Sequence, residues 1–218
     1  AIESPAWKRS VWNVFRQNWV NPYYGGGESQ PGCWCDFYIG NVHFILLDGR
    51  YYRTRDGQPS MLGPAQKAWL WKKLKGSRGT FKVVASPVAF TEGVKPRSLD
   101  TWDGFADERE EIFAFLKDNR IDGVILVAAD RHRSDLRVTT RPNGYDLYEF
   151  ESSRLTNRHV HKIVETPGLV WGYNDKCSFG LIRFDTTRPD PLARFEVITI
   201  DGESAHSFDL PLSQLVHR

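Results

Sequence analysis

The sequence predicts an α/β fold with a β-rich C-terminal third, and three observations carry that expectation. Strand and helix patterns alternate between residues 42 and 129, the order that builds a sheet with crossover helices. Residues 124–129, Val-Ile-Leu-Val-Ala-Ala, form an apolar run of strand length, as expected for a strand buried on both faces. Beyond residue 133, strand patterns follow one another with almost no helical spacing between them.

The elements follow in order. Ser4-Pro5 reads as an N-cap with proline at the first helical position, and Trp7, Val11, Val14, Phe15 and Asn18 recur at helical spacing, so a helix is expected over 5–19. Asn21 to Gly32 is rich in Gly, Pro, Asn and Ser and reads as a loop. Phe37–Ile39 and Val42–Leu47 flank Gly40-Asn41, a two-residue turn that hairpins favour. Leu62-Gly63-Pro64 opens a helix with a stripe of Ala65, Ala68, Trp69 and Leu74, and Gly76-Ser77 ends it. Phe81–Ala85 is a strand, 90–104 a long loop, and 107–119 an amphipathic helix with Ile112, Phe113 and Leu116 inward. After 133, strands are expected at Leu136–Thr139, Tyr145–Phe150, Phe179–Phe184 and Arg194–Ile200, and Asp201-Gly202 turns the last toward Ser207–Leu210.

A chain of 218 residues with 40% hydrophobic content buries a sizeable core. No repeat or linker divides it, so one domain over 1–218 is expected. Lys+Arg at 29 against Asp+Glu at 27 is near balance and carries no nucleic-acid-binding signature. No apolar run reaches membrane-spanning length. The opening Ala1-Ile2-Glu3-Ser4-Pro5 lacks a basic region, an apolar region and an initiator Met, which suggests a processed or truncated chain. Three cysteines make no disulfide framework; Cys33-Trp34-Cys35 is too tight for a zinc knuckle, and a bridge from Cys177 to either is left open. Eight Trp and thirteen Phe indicate a packed core before an aromatic cleft.

Three polar clusters sit where strands should end: Asp48/Arg50/Arg53, Asp130/Arg131/His132, and Glu149/Ser152/Ser153/Arg154 running on to Asn157 and His159. Open α/β sheets place ligands at the carboxyl ends of their strands. Asp-x-His offers a hard oxygen and a borderline nitrogen to one cation, and guanidiniums suit a phosphoryl oxyanion. Bland readings compete. Asp130 could pair with Arg131 or Arg133, Arg50 and Arg53 could pair with Asp56 or Asp36, and Ser152-Ser153 read as turn serines. His159-Val160-His161 would chelate only from a bent loop. His43, between apolar neighbours in a strand, reads as structural.

Five stretches then resemble the PhoD-like alkaline phosphatase family of the calcineurin-like metallophosphatases. They are Phe44–Arg53, Met61–Leu70, Phe81–Ser86, Asp100–Phe105 with Glu108-Arg109, and the 124–129 strand with Asp130-Arg131-His132. The resemblance implies a four-layer α/β/β/α sandwich and a two-metal phosphoesterase. Carried onto this sequence, it implies Asp130 and His132 as metal ligands and Arg50, Asp130 and His132 as the catalytic set. Arg53, Arg131, Asn157 and His159 are the candidate substrate contacts. The ions would be divalent or trivalent (Ca, Fe, Zn or Mn) and the substrate a phosphate ester. Export to the periplasm or beyond is favoured. Ala128-Ala129 departs from the Ser-Gly or Thr-Gly that many members carry before the Asp. The family's Gly-Asp-x-x-Tyr-like and Trp-Asp-Asp-His-Asp-like elements do not occur in this sequence. The chain is therefore expected to be the C-terminal portion of a larger catalytic domain, inactive alone and partnered by the N-terminal half of the same protein. A non-catalytic phosphate- or sugar-binding module and a structural subunit are the alternatives.

Overall fold

The computed structural model describes residues 5–217. Helix α1 (Lys8–Asn18) precedes the hairpin β1 (Cys35–Ile39) and β2 (Val42–Leu46). Then come α2 (Gly63–Lys75), β3 (Phe81–Ala85), α3 (Ala106–Asp118) and β4 (Val124–Ala128). Six strands follow: β5 (Ser134–Thr139), β6 (Leu147–Ser152), β7 (Leu169–Tyr173), β8 (Ser178–Asp185), β9 (Leu192–Thr199) and β10 (Ser204–Pro211). The first seven strands form one sheet in the order β1-β2-β3-β4-β6-β5-β7, and the last three form a second, β10-β9-β8. Strands β2, β3, β4 and β6 run parallel, so their carboxyl ends share one rim. The α/β class and the β-rich C-terminal third are both present.

The register sorts the layers. Phe44 pairs across from Val83, and Val127 from Phe150, so these side chains share one face of the large sheet. That face meets the second sheet through aromatic contacts: Phe81–Phe184 at 5.3 Å between ring centroids and Phe150–Phe195 stacked at 4.5 Å. The opposite face is covered by α2 and α3, whose Trp71 and Phe115 rings stack at 4.2 Å. Ion pairs on the outer face of the second sheet, such as Arg194–Asp209 at 2.5 Å, are exposed and contribute about 0–1 kcal/mol each. Aromatic burial between the sheets stabilises the packing more than these pairs do. Three layers are present among the described residues, rather than the four the resemblance implies. No described helix is long and apolar enough to cross a membrane.

Several local expectations change. Ser4 lies outside the described residues, and α1 begins at Lys8 after Trp7, with no side-chain cap. Its buried residue is Trp12, packed near Trp34, Tyr51 and Tyr52, while Trp7, Val11 and Val14 of the expected stripe face outward. Helix α2 buries Gln66, Leu70 and Leu74, and Gln66 is inward because its amide exchanges hydrogen bonds with the Asp48 backbone at 2.7 Å each. The α2 amino end is held from α3: Glu108 accepts from the Met61 and Leu62 N–H groups and from the Ser60 hydroxyl, a carboxylate placed where the helix dipole favours it. Strand β7 was not legible in the sequence. All three cysteines are free, and burial, followed by the nearby Asp48 charge, pushes the Cys33 thiol up to about 12.

The Phe150–Phe195 stack closes the interface between the sheets. Phe150→Ala is expected to cost about 3–5 kcal/mol in urea unfolding, with the secondary structure retained in the folded baseline; a loss under about 1 kcal/mol would assign the layer contact elsewhere.

Candidate functional site

The rim formed by the parallel strands carries the first two predicted clusters. Strands β2 and β4 are not neighbours, but each pairs with β3, which brings the segments after Leu46 and after Ala128 together. Asp48 itself is buried and structural: its carboxylate accepts from the backbone N–H groups of Arg50, Tyr51 and Cys33. It thereby shapes the turn that presents Arg50. Arg50 and Arg53 do not pair with Asp56 or Asp36. Both donate to Asp100, at 2.7 and 2.6 Å, with Arg55 at 4.0 Å and Lys95 at 3.8 Å from the same carboxylate. The hydrogen bond from Arg50, followed by that from Arg53 and by both charges, holds the Asp100 carboxyl down at about 2 against a partial desolvation cost.

Lys95 joins the two clusters, because its ammonium also lies 3.6 Å from the Asp130 carboxylate. Asp130 thus takes Lys95 as its partner, not Arg131 or Arg133. The turn that carries it is tight: Asp130 and His132 have φ of 80° and 49°, left-handed conformations that Asp and His accept more readily than most residues. Ala129 is not among the left-handed residues, so alanine in place of the family's glycine requires no strain here. Arg131 is buried, with burial and then the Arg133 charge lowering its pKa and the Glu151, Asp130 and Asp135 charges opposing them.

His132 meets the loop after β6. Its ring lies 5.5 Å from that of His159 and 5.1 Å from that of His161, and Asn157 Nδ2 sits 3.4 Å from its Nε2. The Asn157 side-chain oxygen Oδ1 accepts from the His159 N–H at 2.8 Å. The predicted contacts Asn157 and His159 therefore reach the Asp-x-His turn, and both are exposed. Burial first, then the charges of Arg131, His159, His132 and Arg133, lower the His161 pKa, which favours the neutral imidazole. The donor set suits a metal: His132 Nδ1 is buried with no hydrogen-bond partner, and the Asp130 carboxylate is held by a lysine that could exchange for a cation.

The remaining members of the third cluster are structural. Glu149 is buried and accepts from the Phe90 and Thr91 N–H groups at 2.6 and 2.8 Å. Burial raises its pKa against those bonds. His43 is buried between Asp36 and Ser77, as its strand setting suggests. Sequence reasoning missed Lys95 and Asp100, which occupy a long loop with no periodicity. Asp100 opens one of the stretches that carry the family resemblance, and that was the available signal. His161 was visible only as half of a His-x-His pair.

The loop bearing these imidazoles is fixed from beneath. Arg133 and Arg137 both donate to Asp135 at 2.8 Å, and all three side chains are fully buried. Arg133 also donates to the Lys162 carbonyl, and Arg137 to that of Val164 and to the Thr166 hydroxyl.

This anchoring and the rim charges are each open to measurement. Asp135→Ala strands two guanidiniums without their carboxylate and is expected to cost about 3–5 kcal/mol, with amide exchange rising first across 157–168; equal protection in that segment would refute the anchoring role. The Asp100 carboxyl has a folded pKa below its unfolded value near 3.8. Its ion pairs therefore stabilise fully above that value, and the contribution is lost as pH falls through about 2. A carboxyl NMR titration of Asp100 with a midpoint near 4 would contradict this.

The comparisons with known proteins bear on the family and the fold. The chain is 28% identical to alkaline phosphatase D of Bacillus subtilis, in an alignment covering 56% of this chain and 25% of that protein. A solved structure of PhoD superposes with a TM-score of 0.62 at 18% identity, covering 92% of this chain and 49% of that one. A second structure, GAP50, described as the anchor in the inner membrane complex of Plasmodium, shares the fold at a TM-score of 0.51 and 11% identity, over 100% and 74% of the two chains. The chain thus spans a quarter of the curated relative's length and about half of the solved PhoD chain. The PhoD-like phosphatase family model matches residues 19–166, more than half of the sequence, and on that match the chain belongs to the PhoD-like phosphatase family.

Proposed function

We propose that this chain supplies part of the active site of a metal-dependent phosphoesterase that cleaves phosphomonoesters or phosphodiesters. The observation that carries the reading is the Lys95 bridge, 3.8 Å from Asp100 and 3.6 Å from Asp130. It ties a cluster of cations and a set of metal-capable donors into one rim at the carboxyl ends of parallel strands. Membership in the family supports phosphatase activity as the class.

Arg50 and Arg53 bind the phosphoryl oxygens. In the absence of substrate both pair with the single Asp100 carboxylate, and a phosphate dianion replaces that carboxylate with the same bidentate geometry available to guanidinium. Asp130 and His132 would each offer a ligand to the metal centre of the intact protein, where a divalent or trivalent ion would polarise a phosphoryl oxygen and lower the pKa of water. Asn157 orients the imidazole of His132, and His159 faces the same opening. Arg131 acts from below as a buried charge beside the turn. We read the chain as the C-terminal portion of the catalytic domain, with the N-terminal half of the same protein completing both the two-metal centre and the fourth layer.

The test uses the protein containing both halves, assayed with p-nitrophenyl phosphate and bis-p-nitrophenyl phosphate. Asp130→Ala and His132→Ala are each expected to lower kcat/KM by at least about 100-fold, and Arg50→Ala to lower it by about 100-fold or more. Full turnover in Asp130→Ala would sink the assignment and favour a binding module. The 218-residue chain alone is expected to show no enzyme-like turnover; if it does, its own residues complete the site.

A further inference from the structure

The geometry points to a three-histidine site for one divalent transition ion, formed by His132, His159 and His161 within this chain alone. One ligand atom from each imidazole lies within 4.8 Å of the other two. A tetrahedral ion with Zn–N bonds of ~2.0–2.1 Å requires nitrogens roughly 3.4 Å apart, so side-chain rotations of about 1 Å close the trio. Two of the three rings sit on a loop without regular structure, which permits that adjustment.

The chemistry selects the ion. Asp130 is not among the converging donors, so the site is built from nitrogen alone. Imidazole suits Zn, Co, Ni and Cu, whereas Ca and Mg prefer carboxylate and carbonyl oxygen. Three protein ligands leave a fourth position for water, the pattern of a catalytic rather than a structural zinc site. That position is open to solvent, because His159 is exposed and the other two are half-buried.

Two further observations support a built site. His132 Nδ1 is buried and has no hydrogen-bond partner, a cost that a metal bond at that nitrogen would remove. The chain is also held at the C-terminal end of the His159–His161 segment. The Asn174 amide donates to the His161 carbonyl at 3.0 Å, and Arg133 donates to that of Lys162 at 2.8 Å. Such outer contacts hold ligands in place before the ion arrives. The site shares His132 with the phosphoesterase reading, but it stands whether or not that reading does.

The experiment titrates untagged, chelator-treated 218-residue chain with Co²⁺, following visible absorption and heat. One Co²⁺ per chain is expected, with the intense absorption of four-coordinate cobalt, displaced by Zn²⁺ and not by Ca²⁺. His159→Ala and His161→Ala should each weaken binding by more than about 100-fold, above the loss typical of an outer-contact mutation. In the unmutated chain, Zn²⁺ should shift the imidazole resonances of His132, His159 and His161 and leave those of His43, His206 and His217 in place. Absence of stoichiometric binding, binding unaffected by either substitution, or shifts at a different set of histidines would overturn the site. Phosphatase assays do not enter the outcome, so its failure and that of the phosphoesterase reading are separable.

Discussion

Irregular backbone laid over a sheet must find partners for its own N–H and C=O groups, and that requirement shapes the functional half of this molecule. Beneath α2 and α3 the sheet is apolar, because helices satisfy their backbone internally. Beneath the loops at 89–94 and 157–168 the same face carries Asp135, Arg137, Glu149 and Glu151, all buried. Their charges serve the loops: Glu149 takes the N–H groups of Phe90 and Thr91, Arg137 the Val164 carbonyl, and Arg133 those of Lys162 and Val94. Desolvating one such ion costs several kcal/mol. Three guanidiniums, from Arg131, Arg133 and Arg137, therefore gather with three carboxyl groups. One of these, Glu151, is pushed well above the ordinary carboxyl range, first by burial and then by the charges of Asp135 and Glu149.

The consequence is a floor on which a loop without helix or strand holds two imidazoles against His132. Precision at the site thus comes from the sheet, although the residues that face solvent come from loops. The left-handed turn at Asp130 and His132 adds a second constraint. It ends β4 abruptly and turns successive side chains in different directions: Asp130 toward Lys95, His132 toward the histidine loop, and Arg131 into the buried charges.

Charge balance on the rim follows the same logic in a wetter setting. Arg50, Arg53, Arg55 and Lys95 all approach Asp100 within 4.0 Å, so the rim holds more positive charge than one carboxylate cancels. In a partly exposed setting such an excess is tolerable, since water and salt screen it. It also leaves the rim attractive to an anion.

Much of this was legible in the sequence, for identifiable reasons. The apolar run at 124–129 reads as a buried strand and forms one over Val124–Ala128, and the polar residues after it and after Leu47 marked the carboxyl ends where α/β sheets put chemistry. Local pattern also placed α3 and the β2 hairpin, because periodicity and turn residues are local properties. Strand β7 escaped, since Leu-Val-Trp-Gly-Tyr is short and interrupted by glycine, and its partner β5 lies far back along the chain. The buried face of α1, at Trp12, was not legible because helical spacing cannot say which stripe finds a partner. Only the tertiary structure chose Asp100 over Asp56 and Asp36 for the arginines, and Lys95 for Asp130. It alone brought His159 and His161 beside His132. Those choices depend on how loops cross over the sheet, and loop paths are set by buried charges distant in sequence, which no local window contains.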